Sequence, residues 1–144
     1  PVYVKNILAR KGHDVISISP DSTMLETAKV LRENKIGAIL ACDEGGKMCG
    51  VISERDIVIA IAKLGGDVLD KKVGDFMTTG VYTCTAEDSI KQVMEVMTSR
   101  RIRHLPVVGD DGNIVGMISI GDVVKERMSE TEAEAEALKA YIAT

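Results

Sequence analysis

Arg100-Arg-Ile-Arg-His-Leu-Pro-Val-Val-Gly-Asp-Asp-Gly-Asn-Ile-Val-Gly-Met-Ile-Ser-Ile-Gly-Asp122 joins a cationic cluster to a strand, a turn, a second strand and the start of a helix. The apolar run Leu105 to Val108 reads as a strand, and Asp110-Asp111-Gly112-Asn113 as the turn that reverses the chain into Ile114 to Ile118. Ser119 then has the chemistry of a helix N-cap, with Asp122 three residues on in the first turn. Backbone N–H groups in such a first turn are unsatisfied and electropositive. A strand-to-helix corner beside Arg100, Arg101, Arg103 and His104 is therefore a candidate phosphate receptor. Ser-x-x-Asp is also a common capping pattern at helix starts that bind nothing, so a single copy leaves both readings open.

The pattern occurs twice. Shifting the chain by 66 positions lays Val15 to Ala62 over Val81 to Met128 without a gap, pairing Gly50 with Gly116, Ser53 with Ser119 and Asp56 with Asp122. Thr23 to Glu26 falls on Ser89 to Gln92, so each copy also opens its first helix with a capping box. The spacing predicts a helix to about Asn34, strands at Ile39 to Cys42 and Met48 to Ile52, and a helix from Glu54 to Leu64 ended by Gly65 and Gly66. A first strand is expected at Val15 to Ile18, with its counterpart beginning at Val81. Val4 to Leu8 reads as a short docking helix, matched by Val73 to Met77 with three fewer residues before the next strand. The expected fold class is α/β (α+β): two β-α-β-β-α repeats related by a pseudo-twofold axis, each a small sheet packed by two helices. Residues 1–66 form the first repeat and 67–128 the second, with Val68 to Lys72 as connector; residues 129–144 form a helical extension.

Gly50-Val-Ile-Ser-Glu-Arg-Asp56 and Gly116-Met-Ile-Ser-Ile-Gly-Asp122, in ungapped register, resemble the cystathionine-beta-synthase (CBS) domain family, whose tandem pair is called a Bateman module. The resemblance covers roughly residues 4–128 and implies two clefts that each combine the corner of one repeat with the first strand and Arg-His position of the other. The first would comprise Ser53, Arg55 and Asp56 with Val81, Tyr82, Thr83, Arg103 and His104. Asp56 would accept hydrogen bonds from ribose hydroxyls, the 81–83 edge would face a base, and Ser53 with the cations would meet phosphate. The second would pair Ser119 and Asp122 with Val15, Ile16 and Ser17. Gly37, Ala38 and Gly121 stand there in place of Arg103, His104 and Arg55, so its phosphate contacts are largely missing. It would be empty, hold a less charged ligand, borrow Arg103, or have room at Gly121 for a dinucleotide.

Composition narrows the alternatives. No apolar run approaches the roughly 18 residues of a membrane span. Pro1-Val-Tyr-Val-Lys5 lacks the apolar core of a signal peptide, which points to the cytoplasm. Cys42, Cys49 and Cys84 are odd in number and show no metal-ligand spacing, so they are expected to be small apolar packing groups, with no metal site. The net charge of -4 arises in residues 126–136, which hold five Glu. The short basic patch at 100–104 has no aromatic platform, which disfavours nucleic acid. No paired catalytic carboxylates, Ser-His-Asp grouping or P-loop pattern appears, so no enzyme is expected. The resemblance implies a regulatory module for an adenine nucleotide, AMP foremost, with ADP, ATP or NAD(H) as further candidates, controlling another, unknown protein. The alternative is a structural homodimerisation module with vestigial sites. It draws on Val124, Met128, Thr131, Ala135, Leu138 and Ile142, which form a heptad stripe continuing to about Ala143.

Overall fold

The computed structural model describes residues 1–143, in the order α1 (Val4–Lys11), β1 (Ser17–Ile18), α2 (Met24–Asn34), β2 (Ala38–Cys42), β3 (Met48–Ser53), α3 (Glu54–Leu64), β4 (Cys84–Thr85), α4 (Ile90–Arg100), β5 (His104–Val108), β6 (Ile114–Ser119) and α5 (Ile120–Ala143). Short 3-10 turns at Gly66–Asp70 and Val73–Asp75 lie between α3 and β4. Thr144, the last residue of the expected extension, lies outside the described residues. The expected α+β class holds, with a three-stranded sheet in each of two units.

Local chemistry repeats with the sequence. Thr23 Oγ1 accepts a hydrogen bond from Glu26 N at 3.0 Å, and Ser89 Oγ accepts one from Gln92 N at 3.1 Å, so α2 and α4 start alike. Both end on a left-handed residue, Lys35 and Arg101, each at φ 54°. In each sheet the first pair of strands is parallel and the second antiparallel, with an irregularity at Ala41/Cys42 in one and Val107/Val108 in the other. The edge strands are shorter than expected: Val15 and Ile16 stand outside β1, and Val81 to Thr83 outside β4. An edge strand is held from one side only, and in the second sheet the neighbouring middle strand contains Pro106, which brings no N–H to the ladder.

The compact units do not follow the repeat boundaries. One spans Val15–Val81; the other unites Pro1–Asp14 with the chain from Tyr82 onward. Division at residue 66 follows the sequence repeat, whereas packing assigns each repeat's leading segment to the opposite repeat's unit. In the unit from Tyr82 onward, Val4, Ile7 and Leu8 of α1 are buried with Ile90, Val93, Met97, Leu105, Val107, Ile118 and Val123. In the other, Val68 and Val73 complete the core of Met24, Leu31, Ile39, Ala41, Ile52, Ile57 and Ala60. The backbone anchors correspond: Val4 N bonds Asp88 O at 2.9 Å and Lys5 N bonds Ala86 O at 3.0 Å, while Val73 N bonds Ser22 O and Gly74 N bonds Pro20 O, both at 2.8 Å. An eight-residue helix such as α1 is unstable alone; burial at roughly 1.5–3 kcal/mol per large aliphatic side chain makes it persist.

Gly50 and Gly116 are the seats of these segments. A Cβ at Gly50 would lie 2.6 Å from Thr78 O and 2.8 Å from Met77 Sδ, and one at Gly116 would lie 2.5 Å from Leu8 Cδ2. The glycine of each Gly-h-h-Ser-x-x-Asp motif is thus explained by close approach within its own unit.

Candidate functional site: two capped corners

Each corner is the end of a strand that becomes a helix N-cap. Ser53 Oγ accepts from Asp56 N at 3.1 Å, and Asp56 Oδ2 accepts from Ser53 N at 2.9 Å. The same reciprocal pair joins Ser119 and Asp122, at 3.2 and 2.8 Å. Each helix start is also tied to the preceding loop, Glu54 N to Gly37 O at 3.0 Å and Ile120 N to Arg103 O at 2.8 Å. Capping occupies one acceptor position on the aspartate, and a carboxylate has about four. Capping and ligand binding by the same aspartate are therefore compatible.

The corners differ in what else touches the carboxylate. Among the described residues, no cation pairs with Asp56. Asp122 Oδ2 accepts a 2.8 Å hydrogen bond from Lys11 Nζ, in the last turn of α1. Burial alone would push the Asp122 carboxyl up, but the hydrogen bonds from Lys11 and Ser119 outweigh it and hold it below its ordinary range. Beside this pair, Arg10 of α1 forms an ion pair with the buried Glu126 of α5. The sequence reading missed Lys11. Its signal was the three additional residues that separate Leu8 from the first strand, long enough to continue α1 by one turn.

The remaining candidates divide between the units. Ser53, Arg55, Asp56 and Val81 lie in one, with Arg55 exposed in the first turn of α3; Tyr82, Thr83, Arg103 and His104 lie in the other. His104 is the antiparallel register partner of Ser119, so pairing of β5 with β6 brings Arg103 and His104 beside the corner of their own repeat. At the other corner the residue paired with Ser53 is Ala38. Tyr82 is half exposed, and the Arg100 guanidinium lies 5.0 Å from its ring centroid, a cation–π contact. Ser17, an expected member of the second cleft, lies in β1 opposite Leu40 of β2, and the Cys42 thiol at the end of β2 is pushed up mainly by burial. Cys84 is buried and its thiol is pushed up to about 12, again chiefly by burial; Cys42 and Cys49 are only partly buried. Among the described residues there is no group of three or more His, Cys, Asp or Glu placed to hold a metal ion, and no helix long and apolar enough to cross a membrane.

Two three-stranded α+β units, each with a Ser-x-x-Asp corner closed by a reciprocal cap, define a tandem-repeat module. The CBS domain profile matches residues 4–63 and 73–129, and the chain belongs to the CBS domain family. It is similar to the CBS domain-containing protein CBSX3, mitochondrial, of Arabidopsis thaliana, 37% identical over 96% of this chain and 71% of that protein. An uncharacterized Methanopyrus kandleri protein is 31% identical over 78% of this chain, which spans only 57% of its length. A CBS-domain containing protein from Agrobacterium tumefaciens superposes with a TM-score of 0.85 at 43% identity, covering 88% of this chain and 99% of that one. Two further structures carry ligands: a CBS domain protein from Pyrobaculum aerophilum complexed with AMP (28% identity, TM-score 0.75, 84% of this chain and 89% of that one) and the CBS domain pair of protein MJ0100 in complex with 5′-methylthioadenosine and S-adenosyl-L-methionine (27% identity, TM-score 0.79, 90% and 99%).

Proposed function

We propose that this chain is a non-catalytic regulatory module that binds an adenine nucleotide at the Asp56 corner. The observation that carries the reading is a capped carboxylate with acceptor capacity to spare and no paired cation among the described residues. Adenosine-containing ligands in two structural relatives supply the ligand class. On this reading Asp56 receives the ribose hydroxyls. Ser53 and the first turn of α3 receive phosphate, Arg55, Arg103 and His104 supply cationic groups, and Val81, Tyr82 and Thr83 flank the base. AMP is the first ligand to test, followed by ADP, ATP, NAD(H) and S-adenosylmethionine. Loss of two charge-assisted hydrogen bonds in Asp56→Ala costs roughly 2–4 kcal/mol, or about 30- to 1000-fold in AMP affinity. Isothermal titration of wild type and variant tests this. If capping were the only role, stability would fall by about 1 kcal/mol with affinity unchanged, and Asp56 would leave the site.

A second reading, self-association, rests on α5. Val124, Met128, Leu138, Tyr141 and Ile142 are all exposed there, the last at 74%. These residues offer a contact face for a second copy of the chain. Removing residues 133–144 should lower the mass measured by light scattering from dimer to monomer; an unchanged mass sinks the dimer role of the extension.

A further inference from the structure

We propose that Lys11 closes the Asp122 corner to ribose, so that the chain takes nucleotide at the Asp56 corner alone. The inference rests on the nucleotide reading above and assigns a specificity-determining role to a residue outside both repeated motifs.

Asp122 Oδ2 receives the Ser119 N–H and the Lys11 ammonium, both at 2.8 Å, which fills that oxygen's two lone pairs. Among the described residues, Asp56 Oδ2 receives the Ser53 N–H alone, at 2.9 Å. A ribose diol approaches a carboxylate as a pair of donors, and at Asp122 the acceptor positions of Oδ2 are already taken. The ammonium also neutralises the charge that makes such bonds strong.

Lys11 is held where it is. Val4, Ile7 and Leu8 bury one face of α1, with Leu8 seated against Gly116 two residues before β6 continues through Ile118 to Ser119. Consecutive cations then meet successive turns of one helix: Lys11 pairs with Asp122, and Arg10 with Glu126 four residues on. Just beyond α1, the His13 ring bonds Val115 O at 3.0 Å. The end of α1 is therefore fixed at three points, which keeps the Lys11 side chain within reach of Asp122.

The asymmetry has a source in the sequence. Aligned through their docking residues, Leu8 of α1 corresponds to Met77, and counting on places Gly80 opposite Lys11. The segment docked in the unit containing Asp56 is a short 3-10 turn ending at Asp75, where α1 runs to Lys11. Gly80 has no side chain with which to pair a carboxylate.

Equilibrium dialysis with AMP tests the proposal. Wild type should bind one AMP per chain and lose it in Asp56→Ala. Lys11→Met should bind a second AMP, which Asp122→Asn in the same background removes. Lys11→Met that still binds only one overturns the proposal, as does wild type that binds two and loses one in Asp122→Asn. A carboxyl NMR titration follows the pair without ligand: Asp122 should titrate at higher pH in Lys11→Met and return toward wild type in Lys11→Arg. An unshifted titration overturns the exclusion alone. No AMP bound by either wild type or Lys11→Met overturns the nucleotide reading and the exclusion with it.

Discussion

Gly50→Ala should be among the most damaging single-methyl additions to this protein. The added carbon would lie 2.6 Å from the Thr78 carbonyl oxygen and 2.8 Å from Cγ and Sδ of Met77. Met77 can swing aside. Thr78 O cannot, because Val51 N bonds it at 3.0 Å and Thr78 N returns a 2.9 Å bond to Val51 O. Relief therefore means pushing the segment off β3 and losing one of these two hydrogen bonds, worth about 1 kcal/mol, with overpacking adding about 1–3 kcal/mol. A net loss of about 2–4 kcal/mol corresponds to a fall of about 8–16 °C in melting temperature for a chain of this size. Gly116→Ala is the internal control: its contact is Leu8 Cδ2, the end of a side chain that can rotate, so the loss there should be smaller. Thermal and urea unfolding followed by circular dichroism would rank the two. A Gly50→Ala protein within 1 °C of wild type, or one more stable than Gly116→Ala, refutes the docking argument.

Two further outcomes follow from titrating groups. Cys84, buried with its thiol pushed up to about 12, should resist a thiol-specific disulfide reagent at pH 8 in the native protein and react on unfolding; rapid native labelling of Cys84 would contradict its placement. Glu130, like Asp122, is held below its ordinary range: burial would raise it, but Arg127 and the Val2 N–H, which bonds its Oε2 at 2.8 Å, outweigh that. Groups depressed by folding stabilise fully at neutral pH and lose that contribution as pH falls from the ordinary carboxylate range, near 4, through the folded values. Urea midpoints should therefore fall on acidification, and less steeply in Lys11→Met; superimposable pH profiles for the two proteins would contradict the Asp122 contribution.

Much of this was legible because repetition multiplies weak local signals. The spans of α2, α3, β2, β3 and their counterparts follow from capping residues, apolar spacing and turn glycines that occur twice in one register. The short reach of β1 and β4 was less visible, since Val15 and Val81 have strand chemistry whether or not a neighbour pairs with them. Nothing local announces that Val4 docks at Asp88, because that bond spans more than a repeat length and depends on which unit closes over which segment. Lys11 was hidden for a related reason: a cation in a helix's last turn has a sufficient local explanation, and its partner is 111 residues away. At the corners the motif showed which residues cap, while the difference between Asp56 and Asp122 emerged only from the three-dimensional surroundings of each.

The helix α5 also has a mechanical consequence. Its 24 residues run without a break from the Ser119 corner to Ala143, about 36 Å at 1.5 Å per residue. A rod of that length turns angle into distance: a tilt of about 5° at its root sweeps its tip through about 3 Å. Adjustments at the root too small to disturb a hydrogen bond would become, at Leu138 and Ile142, movements as large as a side-chain contact.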